Sequence, residues 1–126
     1  MQVEELIQCN EALSRGVSFE IDLDEMKSDK EYFDYVLSKT SFLFNVSENE
    51  IMGISRKQDV VVARQFICWF LRTQSNYKRF SYPAIGRFIG KDHTTAIHSE
   101  RKIQDAVDIY KNKNFINYSK QINKQI

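Results

Sequence analysis

One proline and four glycines in 126 residues are too few turn formers for an all-β chain, whose short strands depend on Gly- and Pro-rich corners. Two isolated cysteines, Cys9 and Cys68, show no CxxC spacing. That excludes a disulfide framework or a zinc ribbon and fits reduced thiols in a cytoplasmic protein. No apolar run approaches the ~20 residues of a membrane span, and no charged-then-apolar leader opens the chain. The only histidines, His93 and His98, stand five apart, about 140° around a helix. They are badly placed to share a metal ion, so no metal and no cofactor is expected. What is present is 42% hydrophobic and 13% aromatic residues, enough to bury one core in one domain.

The net charge of +1 hides an asymmetry. Residues 1–50 hold 4 basic and 12 acidic side chains, a net of −8; residues 51–102 hold 10 and 3, a net of +7; residues 103–126 hold 4 and 2, a net of +2. A basic segment of this density suits a phosphate-binding face. The plainer reading is a basic surface balanced by an acidic one in the same fold.

Helical periodicity dominates. Val3, Leu6, Ile7 and Leu13 mark a modest amphipathic helix that Gly16 can end. Val17, Phe19, Ile21 and Leu23 alternate along an acidic, extended linker. Ser28–Glu31 and Ser47–Glu50 both have the capping-box spacing that opens a helix. The first of these helices carries Phe33, Val36, Leu37, Thr40 and Phe44 on one face, and the second is short, docked by Ile51 and Ile54. Residues 59–74 are apolar nearly all round and predict a central buried helix containing Trp69. Arg64, Gln65 and Arg72 are its polar exceptions, and Arg64 and Arg72, eight apart on one face, are expected to point together at solvent or a partner.

After a polar, basic loop over 73–80, Ser81 caps a helix with Pro83 in its first turn, Gly90 stops it, and Asp92 caps another running to about Asn112. At 100° per residue, Ala96, Ser99, Ile103, Val107 and Tyr110 form that helix's packed side. Thr94, His98, Arg101 and Lys102 form its free side. The expected organisation is an acidic segment over 1–27, an all-α helix-turn-helix domain over 28–112, and a tail or short helix over 113–126.

Helix, three-residue turn and helix is the pattern in which the second helix enters a major groove. Threonine methyls meet the thymine methyl, and hydroxyls and imidazoles reach base edges. Basic residues take phosphates. Enzyme readings lack a constellation. Cys68 sits in the most apolar helix, which raises a thiol pKa, and Asp92 and His93 point about 100° apart with no nucleophile beside them. Gly86–Asp92, GRFIGKD, falls short of a phosphate loop: the gap between its glycines is too short and Asp follows the Lys. No nucleotide cofactor is therefore expected.

GKDHTTAIHSERKI resembles the signature of the C-terminal DNA-binding domain of the bacterial replication initiator DnaA. Ser55-Arg56-Lys57 with Val62-Ala63-Arg64-Gln65 resembles that family's basic loop and Ala-Arg-Gln helix, and Ser81–Gly86 resembles its Ser-x-Pro-x-Ile-Gly turn. The resemblance covers about residues 30–106. It implies an all-α, Trp-repressor-like bundle that binds double-stranded DNA. Arg56 would enter the minor groove, and Asp92, His93, Thr94 and Thr95 would face the bases of the major groove. Arg64, Gln65, Arg72, Ser81, Lys91 and His98 would meet the sugar–phosphate backbone, with Arg101 and Lys102 adding phosphate contacts from the basic side of the same helix.

Ala96 replaces a larger aliphatic, Ala84 a charged residue, and the 73–80 loop is longer than usual by about three residues. The initiator's ATPase motor cannot fit in a chain of this length. The expectation is a nucleoid-associated reader of DNA boxes in replication initiation or its control, with replication proteins as possible partners. It could form a homodimer through the N-terminal segment. Two alternatives stand beside it: a transcriptional regulator of a phage or mobile element, and an interaction adaptor that has lost DNA affinity. Under the charge-split reading, the acidic segment covers the basic face, and removing residues 1–27 tightens DNA binding.

Overall fold

A computed structural model describes residues 28–124, and all of the described elements are helical. The expectations for residues 1–27, including Cys9 and the acidic linker, lie outside the described residues. The helices are α1 (Asp29–Phe44), α2 (Glu48–Met52), α3 (Gln58–Trp69), α4 (Tyr82–Ile89), α5 (His93–Asp108) and α6 (Lys113–Lys124). A single π turn, Phe70–Gln74, extends α3.

Local chemistry starts most of these elements. Ser28, Ser47, Ser81 and Asp92 each accept a hydrogen bond from the backbone N–H three residues on, satisfying one of the donors a helix start leaves open. At Ser47 the box is reciprocal, because Glu50 accepts from the Ser47 N–H. α3 differs: it starts at Lys57 with no side-chain cap.

α3 is the axis of the core. Val60, Ala63, Phe66, Ile67, Cys68, Trp69, Phe70 and Leu71 are buried along it, and α1, α2 and α5 pack on its sides. Phe66 sits among Phe44, Trp69, Phe70, Phe115 and Tyr118, with ring centroids 5.3–6.2 Å apart. The Trp69 indole N–H donates to Gln104 Oε1 at 2.8 Å, so its one polar atom is satisfied within the fold.

The 73–80 segment is better anchored than a polar loop. The Thr73 hydroxyl back-bonds to the Trp69 carbonyl at 2.7 Å inside the π turn. Phe80 is buried and Tyr77 stacks on Tyr32 at 4.9 Å. Tyr32, absent from the expected face of α1, is fully buried. Burial pushes its hydroxyl up to about 12, and it accepts a hydrogen bond from Ser75 at 2.9 Å.

Three expectations need correction. Ile54 does not dock α2; it is 88% exposed, and Ile51 alone is buried. α5 stops at Asp108, and Tyr110, expected on the packed side, is 78% exposed. Lys111 takes a positive φ of 57°, which turns the chain into α6. That helix then supplies Phe115 and Ile122 to the core. The Tyr35 hydroxyl donates to the Ile122 carbonyl at 3.0 Å and ties α6 to α1. Among the described residues no helix is long and apolar enough to cross a membrane.

Candidate nucleic-acid interface

α4, the turn Gly90–Asp92 and α5 form the expected helix-turn-helix, and α4 packs closely on α5. Three residues fix the turn. Gly90 has φ 74°, a left-handed conformation that costs a residue with a Cβ about 1 kcal/mol or more. Gly86 is buried in α4, and a Cβ there would lie 2.7 Å from the Lys91 carbonyl oxygen and 3.0 Å from the Asp92 carbonyl carbon. The turn therefore rests directly on the backbone of α4, and the Lys91 N–H donates to the Gly86 carbonyl at 2.9 Å. Asp92 closes the unit by accepting from the Thr95 N–H at 2.9 Å. That bond holds its carboxyl below the usual range, so it is ionised at neutral pH.

Beyond this cap, His93 and Thr94 are exposed and Thr95 is half-buried. One turn further on, His98, Arg101 and Lys102 are exposed along the same helix. The opposite side packs through Ala96, Ser99 and Ile103, as the periodicity predicts. Sequence reasoning missed Glu100. It is 9% exposed, and its carboxylate accepts from the Tyr82 hydroxyl at 2.9 Å, bracing α4 against α5. The signal was present: at 100° per residue Glu100 falls about 20° from Val107, on the packed side.

Arg64 and Arg72 are not aimed at solvent, contrary to expectation. Arg64 is half-buried; its Nε donates to the Ile51 carbonyl at 2.8 Å, and one terminal nitrogen lies 3.2–3.3 Å from the carbonyls of Glu50, Gly53 and Ser55. Arg72 donates to the Phe80 carbonyl at 3.1 Å and lies over the Tyr82 ring at 4.5 Å. At Arg64 the chain leaving α2 presents carbonyls still to be satisfied, and a half-buried guanidinium with five donors satisfies several at once. Arg72 instead ties down one carbonyl of the segment that leads into α4.

The remaining candidates are placed as follows. Arg56 is exposed in the loop between α2 and α3. Its neighbour Lys57 is 3.7 Å from Glu50. Ser81 is exposed, and its oxygen caps α4 at 3.3 Å while its hydroxyl proton stays free to donate. Lys91 and Gln65 are half-buried. Gln58 and Gln65 of α3 line one groove with Lys102 of α5. The same groove takes in Ile103, Asp105 and Ala106 of α5 and Phe115 of α6, so its lining is mixed and Lys102 is its one basic residue. Among the described residues no cluster of three His, Cys, Asp or Glu side chains is placed to hold a metal ion. Cys68 is buried and its thiol is pushed up to about 12 by that burial, which removes it as a nucleophile at neutral pH.

Comparison with known proteins agrees with this geometry. The family model of the bacterial DnaA protein helix-turn-helix matches residues 33–103. Chromosomal replication initiator proteins DnaA of Cutibacterium acnes and Oenococcus oeni are 39% identical over 70 and 66 residues; that of Kosmotoga olearia is 36% identical over 74. These matches cover 52–59% of this chain and 13–16% of the relatives' own length. The matched stretch runs from Phe33 in the core of α1 to Ile103, the last buried position of α5, taking in both the turn Gly90–Asp92 and the Arg56 loop, and the chain belongs to the bacterial DnaA helix-turn-helix family.

Proposed function

We propose that this chain binds duplex DNA with a sequence preference and acts in the initiation of replication or its control. The relatives that it resembles are named chromosomal replication initiators. The observation that carries the reading is the first turn of α5. It is capped by its own Asp92, seated by Gly86, and leaves His93 and Thr94 exposed. A helix end so held presents methyl, hydroxyl and imidazole groups to base edges without ordering cost at binding.

In this reading Asp92, His93, Thr94 and Thr95 face the major-groove bases and Arg56 enters the adjoining minor groove, where a narrow A·T stretch attracts a cation. The exposed Asp92 carboxylate accepts from a base amino group in addition to its capping bond. Gln65, Ser81, Lys91, His98, Arg101 and Lys102 meet the backbone. Arg64 and Arg72 contribute through the carbonyls they hold. The output is occupancy of an initiator-type box, in support of the initiator or in competition with it.

The test is titration of the protein into a duplex carrying an A·T-rich initiator box and into a scrambled duplex of equal composition, at roughly 0.1 M salt, where non-specific charge binding is weakened. A preference for the box is expected. Thr94→Ala should reduce it by about 1–3 kcal/mol while leaving scrambled-duplex binding unchanged. Lys102→Ala should weaken both duplexes alike and flatten the salt dependence by about one counterion. Equal affinity for both duplexes overturns the sequence preference, and absence of binding to either overturns the reading altogether.

A further inference from the structure

We propose that Arg64 is a positioning residue that builds the Arg56 loop and holds Arg56 where it can reach DNA. This rests on the DNA-binding reading above. The loop needs such a device. α2 is only five residues long, Glu48–Met52, too short to hold its shape alone. The segment that follows, Gly53–Lys57, is irregular and has few bonds of its own: the Gly53 N–H donates back to the Glu50 carbonyl at 3.2 Å and the Lys57 N–H to the Ser55 hydroxyl at 3.3 Å, and Lys57 precedes α3 without a side-chain cap bond. Ile54 is 88% exposed and anchors nothing.

Arg64 sits on α3, the buried axis of the core, with Ala63 and Phe66 beside it fully buried. Its guanidinium reaches back across that loop. Nε takes the Ile51 carbonyl at 2.8 Å, and the two protons of one terminal nitrogen are shared among the carbonyls of Glu50, Gly53 and Ser55 at 3.2–3.3 Å. The acceptors run from the last turn of α2 to the residue before Arg56. A planar fork with fixed donor directions can bridge such a set, and a lysine ammonium on a flexible stem cannot. The cation also meets the negative end of α2. One half-buried attachment therefore fixes the backbone on the N-terminal side of Arg56, while the Arg56 side chain stays exposed.

A direct phosphate contact and a positioning role make opposite predictions for Arg64→Lys, which keeps the charge and loses the fork. If Arg64 positions Arg56, Arg64→Lys speeds exchange of the two hydrogen-bonded loop amides, Gly53 and Lys57, by about tenfold or more in the free protein, with α5 amides unchanged. Its preference for the box over scrambled duplex falls to the level of Arg56→Ala. The double variant Arg64→Lys/Arg56→Ala then loses less than about twofold further, because both changes disable one contact. In the unaltered protein the Arg64 Nε–H exchanges slowly compared with that of exposed Arg101, a readout that needs no variant to fold.

Rapid Arg64 Nε–H exchange, unchanged exchange of the Gly53 and Lys57 amides in Arg64→Lys, or losses that multiply in the double variant would each overturn the proposal. The failure of the DNA-binding reading looks different. The unaltered protein would then bind neither duplex, whatever the exchange data show, and Arg56 would have no groove to be positioned for.

Discussion

The two regions assigned to the DNA face are built on opposite plans. The start of α5 is held by its own sequence. Asp92 caps it, Gly90 turns the chain, and Gly86, six residues before the cap, admits the turn. The Arg56 loop has slighter local support, the Lys57 N–H on the Ser55 hydroxyl and the Gly53 N–H on the Glu50 carbonyl, and its main tie comes from α3, one guanidinium on four carbonyls. The first region is rigid because a helix end rests on another helix. The second is held chiefly by one side chain, whose loss can release it. A base-reading element needs fixed donors at fixed spacing, whereas a side chain that enters a narrow minor groove by charge needs mainly its root held.

The largest effect should come from removing what both regions share. Phe66→Ala empties the aromatic centre of α3 and should cost about 3–5 kcal/mol in urea unfolding, with box binding and exchange protection lost together in both regions. A variant that lost only the loop would show that the two are not mounted on one core.

Gly86→Ala should separate them. The added Cβ meets backbone rather than a yielding side chain, so about 1–3 kcal/mol of stability is lost. The turn shifts, α5 amides exchange faster, and the Gly53 and Lys57 amides keep their protection. Loss of protection at both sites would refute the independence of the two plans.

The smallest effect is at high pH and bears on the packing under α5. Cys68 is raised to about 12 by burial, with Ser99 of α5 as its hydrogen-bond partner. Tyr32 is likewise raised to about 12 by burial. An unfolded chain loses these protons first, near pH 8.5 for a thiol and 10 for a phenol. It binds fewer protons than the folded protein from there up to about 12. Stability should therefore be flat through neutrality and fall as pH rises above about 9. Cys68→Ala should shallow that fall. An unchanged slope, from urea midpoints at pH 8 and 10.5, would show the thiol to be accessible.

The helix-turn-helix was legible because its determinants are local. Ser81, Pro83, Gly90 and Asp92 act within four residues of themselves, and their roles follow from which backbone donors a helix start leaves open. The packed side of α5 followed from periodicity. Other features were illegible for a common reason. Arg64 finds its acceptors 9–14 residues earlier in the chain, and nothing in ARQ says which carbonyls will lie within reach. Tyr32 is buried because Tyr77 and Phe80 fold over it from a loop that reads as polar. Ile54 and Tyr110 are exposed because the chain turned before the period could be completed.

The sequence by itself determined a helical chain, the starts of four helices, the turn Gly90–Asp92, and a recognition-type helix with one apolar and one basic side. These are properties of neighbours along the chain, decided by capping, φ and periodicity. The tertiary structure alone decided which polar side chains stay free. A guanidinium satisfies whatever unpaired carbonyls the packed helices bring to it, so Arg56 was left exposed while Arg64 and Arg72 were drawn inward.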